Sequence, residues 1–144
     1  MALNPDRWDV AALRAGATVS LLFAVPFQVL AAIFVDEGDG GLGALLFFGT
    51  ALGFVVGAGC AAWLQRVGAP LSHGIVAAVL PYAVVQLVFI VLALVVGDGV
   101  EIVAVAFTLT LTAFAGLIGG FLGGRLRARG LLPSIERTTT GGDR

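Results

Sequence analysis

The sequence predicts an all-α membrane protein: a bundle of four transmembrane helices, built as two parallel-repeated helical hairpins with both termini on the cytoplasmic side. Three observations lead there. Hydrophobic residues make up 59% of the 144 and charged residues only 12%, with a mean hydropathy of +1.06, which is more apolar surface than a soluble fold of this length can bury. Four uncharged runs are each long enough to cross a hydrocarbon core of about 30 Å, which takes roughly 20 residues of helix. Every arginine lies on one side of those runs.

The elements follow in order. Residues 1–14 form an amino-terminal segment in which Asn4-Pro5-Asp6 reads as a helix cap with proline in the first turn, opening a short interfacial helix. The first span runs from Ala15 to Val35. Its rival reading is a cleavable leader ending near Val29-Leu30-Ala31, but Asp6 and Asp9 offset Arg7 and Arg14, and the apolar run is longer than a leader uses. The second span covers Leu42 to Gln65, the third Gly74 to Gly97 and the fourth Ile102 to Gly124. The connectors are short, so helices adjacent in sequence pack as antiparallel neighbours. The four spans belong to one domain, 15–130; the tail, 131–144, has little apolar content and is expected to be disordered.

Orientation follows from charge. Arg7 and Arg14 precede the first span, Arg66 lies between the second and third, and Arg125, Arg127, Arg129, Arg137 and Arg144 follow the fourth, whereas Asp36, Glu37, Asp39, Asp98 and Glu101 occupy the other two loops without a basic residue. The positive-inside bias makes the arginine side cytoplasmic. Trp8 and Trp63 fall at the same boundary, where amphipathic rings prefer the headgroup level. Arg14, Arg66, Arg125, Arg127 and Arg129 therefore read as topology anchors that favour anionic headgroups. Arginine without any lysine, in a chain rich in Gly, Ala, Val and Leu, points to a GC-rich bacterial genome and so to a bacterial plasma membrane.

The two halves match. At every fourth residue the first helix shows Gly16, Ser20, Ala24, Gln28, and the third shows Gly74, Ala78, Tyr82, Gln86. The second helix and its exit, Gly57 to Gly68, align with Gly119 to Gly130, and Asp36 aligns with Asp98. Each hairpin begins and ends on the same side, so the repeat is parallel. The Gly-rich helix end Gly119-Gly120-Phe121-Leu122-Gly123-Gly124-Arg125 with the turn Gly130-Leu131, and more loosely Gly57 to Gly68 with His73-Gly74, resembles a family of small uncharacterised four-span membrane proteins of Gram-positive bacteria. In that family a Gly-Gly-x-x-Ala-Gly-Arg/Lys stretch leads into a Gly-Leu turn. The resemblance implies the four-span fold and no particular activity.

Glycine marks the packing faces. Gly49, Gly53 and Gly57, continued by Ala61, make a small-residue ridge on the second helix, and Thr108, Thr112, Gly116, Gly120 and Gly124 make one on the fourth. Lipid supplies little hydrophobic drive between helices, so such ridges hold them together through close backbone approach. They serve packing within the chain, and one of them is a candidate contact for another membrane protein or a second copy.

Gln28 and Gln86 are the deepest strongly polar side chains. An amide without a partner in hydrocarbon costs several kcal/mol, so each needs a hydrogen bond. The plain reading is a clamp between helices; the functional one is a polar intramembrane site of Gln28, Tyr82, Gln86, Thr108 and Thr112, with Thr110 a further hydroxyl. Pro26 and Pro81 interrupt the first and third helices nearby, each freeing a carbonyl one turn earlier. His73, the single histidine, is placed at the boundary as a cap or headgroup contact.

The absences narrow the function. No Asp, Glu, Lys, Arg or His lies inside a predicted span, which disfavours proton relays and ion pumps. There is no metal-ligand cluster, no nucleophile beside a base and no phosphate-cradling loop, so no catalytic residue, metal or cofactor is assigned, and nucleic acid is not a partner. The first expectation is a non-catalytic protein acting by helix association, as an accessory subunit of a membrane complex or a homo-oligomer. The alternative is a small channel or transporter for a neutral or weakly polar solute.

Overall fold

The computed structural model describes residues 7–35, 40–97 and 99–131. They form four helices, α1 (Val10–Phe34), α2 (Gly40–Leu64), α3 (Pro70–Val96) and α4 (Ile102–Ala128). All four are long and apolar enough to cross a bilayer, which makes the chain an integral, multi-pass membrane protein. The cap at Asn4-Pro5-Asp6, the loop acids Asp36, Glu37, Asp39 and Asp98, and the tail beyond Leu131 lie outside the described residues.

Three helix ends differ from the sequence reading by four residues or more. The first helix is continuous from Val10, and its cap is Asp9, whose Oδ1 accepts the Ala12 N–H at 3.1 Å. The third begins at Pro70 rather than Gly74, because proline at the first helical position arrives with its φ already set. The fourth continues past Gly124 to Ala128, which puts Arg125 and Arg127 in its last turn against the negative end of the helix dipole. That helix stops at Gly130, held at φ +76°: the Gly130 N–H reaches Arg127 O at 3.0 Å and the Leu131 N–H reaches Leu126 O at 3.3 Å. This pair of bonds is the Schellman closure, and its left-handed residue favours glycine.

In cross-section the helices form a rhombus. α2 and α3 touch along its short diagonal, while α1 and α4 flank them on opposite sides and do not touch each other among the described residues. Small residues set the spacing. A β-carbon built on Gly16 would lie 2.6 Å from Gly57 O, and one on Gly74 would lie 2.6 Å from both Gly116 O and Gly120 Cα, so α1 meets α2, and α3 meets α4, backbone against backbone. Gly49 accommodates the Phe27 ring, Gly53 lies against Phe23 and Ala24, Gly120 against Pro70, Leu71 and Gly74, and Gly124 against Pro70.

The two hairpins therefore pack alike, but in a different register from the sequence alignment. Gly116 and Gly120 stand against Gly74 as Gly57 and Ala61 stand against Gly16, whereas the alignment places Gly119 and Gly123 there. Those two glycines face α2 instead, against Val55, Ala58, Gly59 and Ala62. α4 carries two glycine stripes, one to α3 and one to α2. Glycine matched to glycine in sequence does not say which stripe faces which neighbour.

Buried side chains concentrate in the half of the bundle that carries the chain termini. On α1 the buried positions end at Ala24, on α3 at Tyr82, and on α4 they begin at Thr112. Beyond those levels the four helices border a cavity.

Candidate functional site: a polar cavity in the open half of the bundle

Above that closely packed half lies a cavity of about 220 Å³, bounded by all four helices. Its floor is the edge-to-face pair Phe54 and Tyr82, whose ring centroids are 6.2 Å apart and whose side chains are buried. Gln28 reaches it from α1, Thr50 from α2, Gln86 from α3, and Thr108 and Thr112 from α4. The five residues of the expected polar site, Gln28, Tyr82, Gln86, Thr108 and Thr112, all line this one space. Thr110 does not; it is exposed on the outer face of α4 and donates to Ala106 O at 2.8 Å.

Each hydroxyl has a fixed role. Thr112 Oγ1 donates to Thr108 O at 2.8 Å and Thr50 Oγ1 donates to Leu46 O at 3.0 Å, so both present only lone pairs to the cavity. Thr108 Oγ1 turns its one proton back to its own helix, toward Ala104 O at 2.9 Å and Val105 O at 3.1 Å. With the Thr108 proton on its own helix, the tyrosine hydroxyl is the donor of the short bond between Thr108 and Tyr82, the assignment that satisfies the carbonyls of Ala104 and Val105 as well. The wall is thus rich in acceptors, and the two glutamine amides supply its donors.

Those amides overturn one expectation. Among the described residues neither the Gln28 nor the Gln86 side chain has a hydrogen-bond partner, so neither clamps its helix to another. Both are half-buried and line the cavity, and no side-chain polar atom of theirs is sealed from solvent. With two donors and one carbonyl apiece in a hydrocarbon setting, they require a polar occupant. The volume has room for several waters or one small solute.

The carbonyl freed by Pro81 is used elsewhere. It belongs to Ala77, and the buried Ser20 hydroxyl donates to it across the α1–α3 contact in a long bond of 3.4 Å. Sequence reasoning placed Ser20 in a small-residue stripe and missed this role; the signal was a hydroxyl within a stripe facing a proline-bearing helix.

The termini end has its own polar junction, also missed. His73 is fully buried, against the expectation of a headgroup contact: its Nδ1 bonds Ala69 O at 2.8 Å, its Nε2 accepts the Asp9 N–H at 3.0 Å, and Trp8 packs on the ring at 5.2 Å. Asp9 Oδ2 also accepts the Arg66 N–H at 3.2 Å, so the start of α1 is tied to the α2–α3 connection. Trp63 donates to Leu131 O, and Arg127 Nη1 donates to Trp63 O at 2.9 Å, which fastens α4 to α2. Arg125 lies 4.6 Å over the Phe121 ring, while Arg14, Arg66 and Arg129 are exposed at that same end. No family model matches the chain, and no curated protein or solved structure matches it.

Proposed function

We propose that the protein is a small, non-catalytic transporter that binds a neutral, hydrogen-bonding solute between Gln28 and Gln86 and carries it across a bacterial plasma membrane. One observation carries this reading: two mid-helix glutamines, without hydrogen-bond partners among the described residues, line the same cavity as Tyr82, Thr108 and Thr112. An uncharged wall with many acceptors and four amide N–H donors suits a solute bearing hydroxyls or amides and disfavours an ion.

With both termini in the cytoplasm, as the arginine distribution favours, the cavity faces outward and the glycine-packed half forms the closed inner gate. Passage then requires the hairpins to part at the Gly59, Gly119 and Gly123 contact. Association with a partner through a free glycine ridge has less support. Gly49, Gly53, Gly57, Gly116, Gly120 and Gly124 are all occupied inside the chain, and lipid is the partner that the exposed apolar faces require. The resemblance to small four-span proteins of Gram-positive bacteria is kept as part of the same proposal and adds no activity.

The test is glycerol and urea flux into proteoliposomes, followed by stopped-flow light scattering. Wild-type protein should raise the rate above that of empty liposomes, and Gln28→Leu and Gln86→Leu should each remove at least nine-tenths of the increment. A wild-type rate equal to that of empty vesicles, or full flux in both variants, would end the proposal.

A further inference from the structure

Gln86 and Thr108 border a second space. A groove of about 470 Å³ runs between the outer ends of α3 and α4, lined by Phe89, Ile90, Ala93, Val105 and, at the loop end, Glu101. It takes no residue from α1 or α2. On α4 the segment from Glu101 to Thr108 rises about 10 Å, so the groove leads from the membrane boundary down to the polar pair. At its inner end Thr108 is held by Tyr82 and by its own helix, whereas Gln86 has no partner among the described residues. Gln86 is thus the one polar side chain shared by both spaces that is free to turn from one to the other.

We infer that the central cavity is reached sideways through this groove, and that its ligand is an uncharged amphiphile with a hydroxyl head and an apolar body, of the fatty-alcohol class. The inference rests on the reading of the central cavity as a solute site and specifies what enters it. The head group slides between α3 and α4 to exchange hydrogen bonds with the Gln86 amide, and the apolar body stays against Phe89, Ile90 and Val105. Three features select this chemistry. The groove walls are apolar, which suits a hydrocarbon body. Among the described residues Glu101 is the one charged residue lining the groove, and it is exposed at its rim, so it repels phosphate and carboxylate heads. The inner end offers amide and hydroxyl groups without charge, so the head that fits is neutral.

The experiment uses the full chain in lipid nanodiscs and follows the side-chain amide signals of its three glutamines, Gln28, Gln65 and Gln86, by NMR. 1-Octanol is added through the lipid and glycerol from the water. Ala93→Phe and Ala104→Phe fill the groove from opposite walls, and neither residue lines the central cavity. Octanol should shift Gln86 and Gln28 saturably in the wild type and leave Gln65 unmoved; both groove variants should weaken the octanol response at least tenfold and retain the glycerol response. Octanol shifts that persist in both variants overturn the lateral route, as does a wild-type response to glycerol alone, and in those cases the central solute site still stands. If neither compound moves Gln28 or Gln86 in the wild type, the solute site and its lateral route both fall.

Discussion

Replacing Gly74 with alanine adds one methyl group at the tightest backbone approach between α3 and α4. The new β-carbon would stand 2.6 Å from Gly116 O, 2.6 Å from Gly120 Cα and 2.8 Å from Gly120 N, all backbone atoms that cannot swing aside. Ordinary contact needs about another 1 Å, so the two helices must separate along the shared ridge. Overpacking of this kind costs about 1–3 kcal/mol, and rigid walls on both sides place this case near the top of that range. The helix-propensity gain of Gly→Ala returns roughly 1 kcal/mol. The net loss should be about 2 kcal/mol. Gly59→Ala is the control, because its β-carbon would sit 3.5 Å from Gly119 O, an ordinary contact; the propensity term then leaves it neutral to slightly stabilising. Reversible unfolding in mixed micelles, followed by tryptophan fluorescence, reads both variants against the wild type. Equal stability of the two alanine variants would refute the claim that α3 and α4 meet backbone to backbone at Gly74.

Two further variants probe the polar contacts. Tyr82→Phe removes the hydroxyl that α3 gives Thr108 and should cost about 0.6 kcal/mol, with an upper bound near 1.7 kcal/mol, in the same unfolding assay. Asp9→Ala strips the α1 cap and the acceptor for the Arg66 N–H and should destabilise by ~1 kcal/mol or more, whereas Asp9→Asn keeps a capping oxygen and should recover most of that loss; hydrogen exchange at Ala12 and Arg66 reports the two contacts separately.

The four spans were legible in the sequence because crossing a bilayer is a local requirement: each run of about 20 apolar residues must satisfy its own backbone as a helix. Five of the six polar residues lining the cavity, all but Thr50, were legible for a related reason. A glutamine or tyrosine in hydrocarbon is costly wherever the helices lie, so Gln28, Tyr82 and Gln86 stand out before any packing is known.

What those residues do was decided only in three dimensions. Whether Gln28 and Gln86 bond each other depends on how far apart α1 and α3 stand at that level; below it the buried Ser20 hydroxyl ties α1 to Ala77 O of α3. The register of the repeat was hidden because α4 has glycines on two faces, and composition does not record direction. His73 was misplaced because its burial depends on Asp9 and Trp8, far away in sequence but folded over the start of α3. The sequence by itself determined the membrane fold, its uncharged interior and the residues that would need partners. The tertiary structure decided which of those needs the protein meets internally and which it leaves open to a ligand, because helix separation is a collective outcome of contacts spread over the whole bundle.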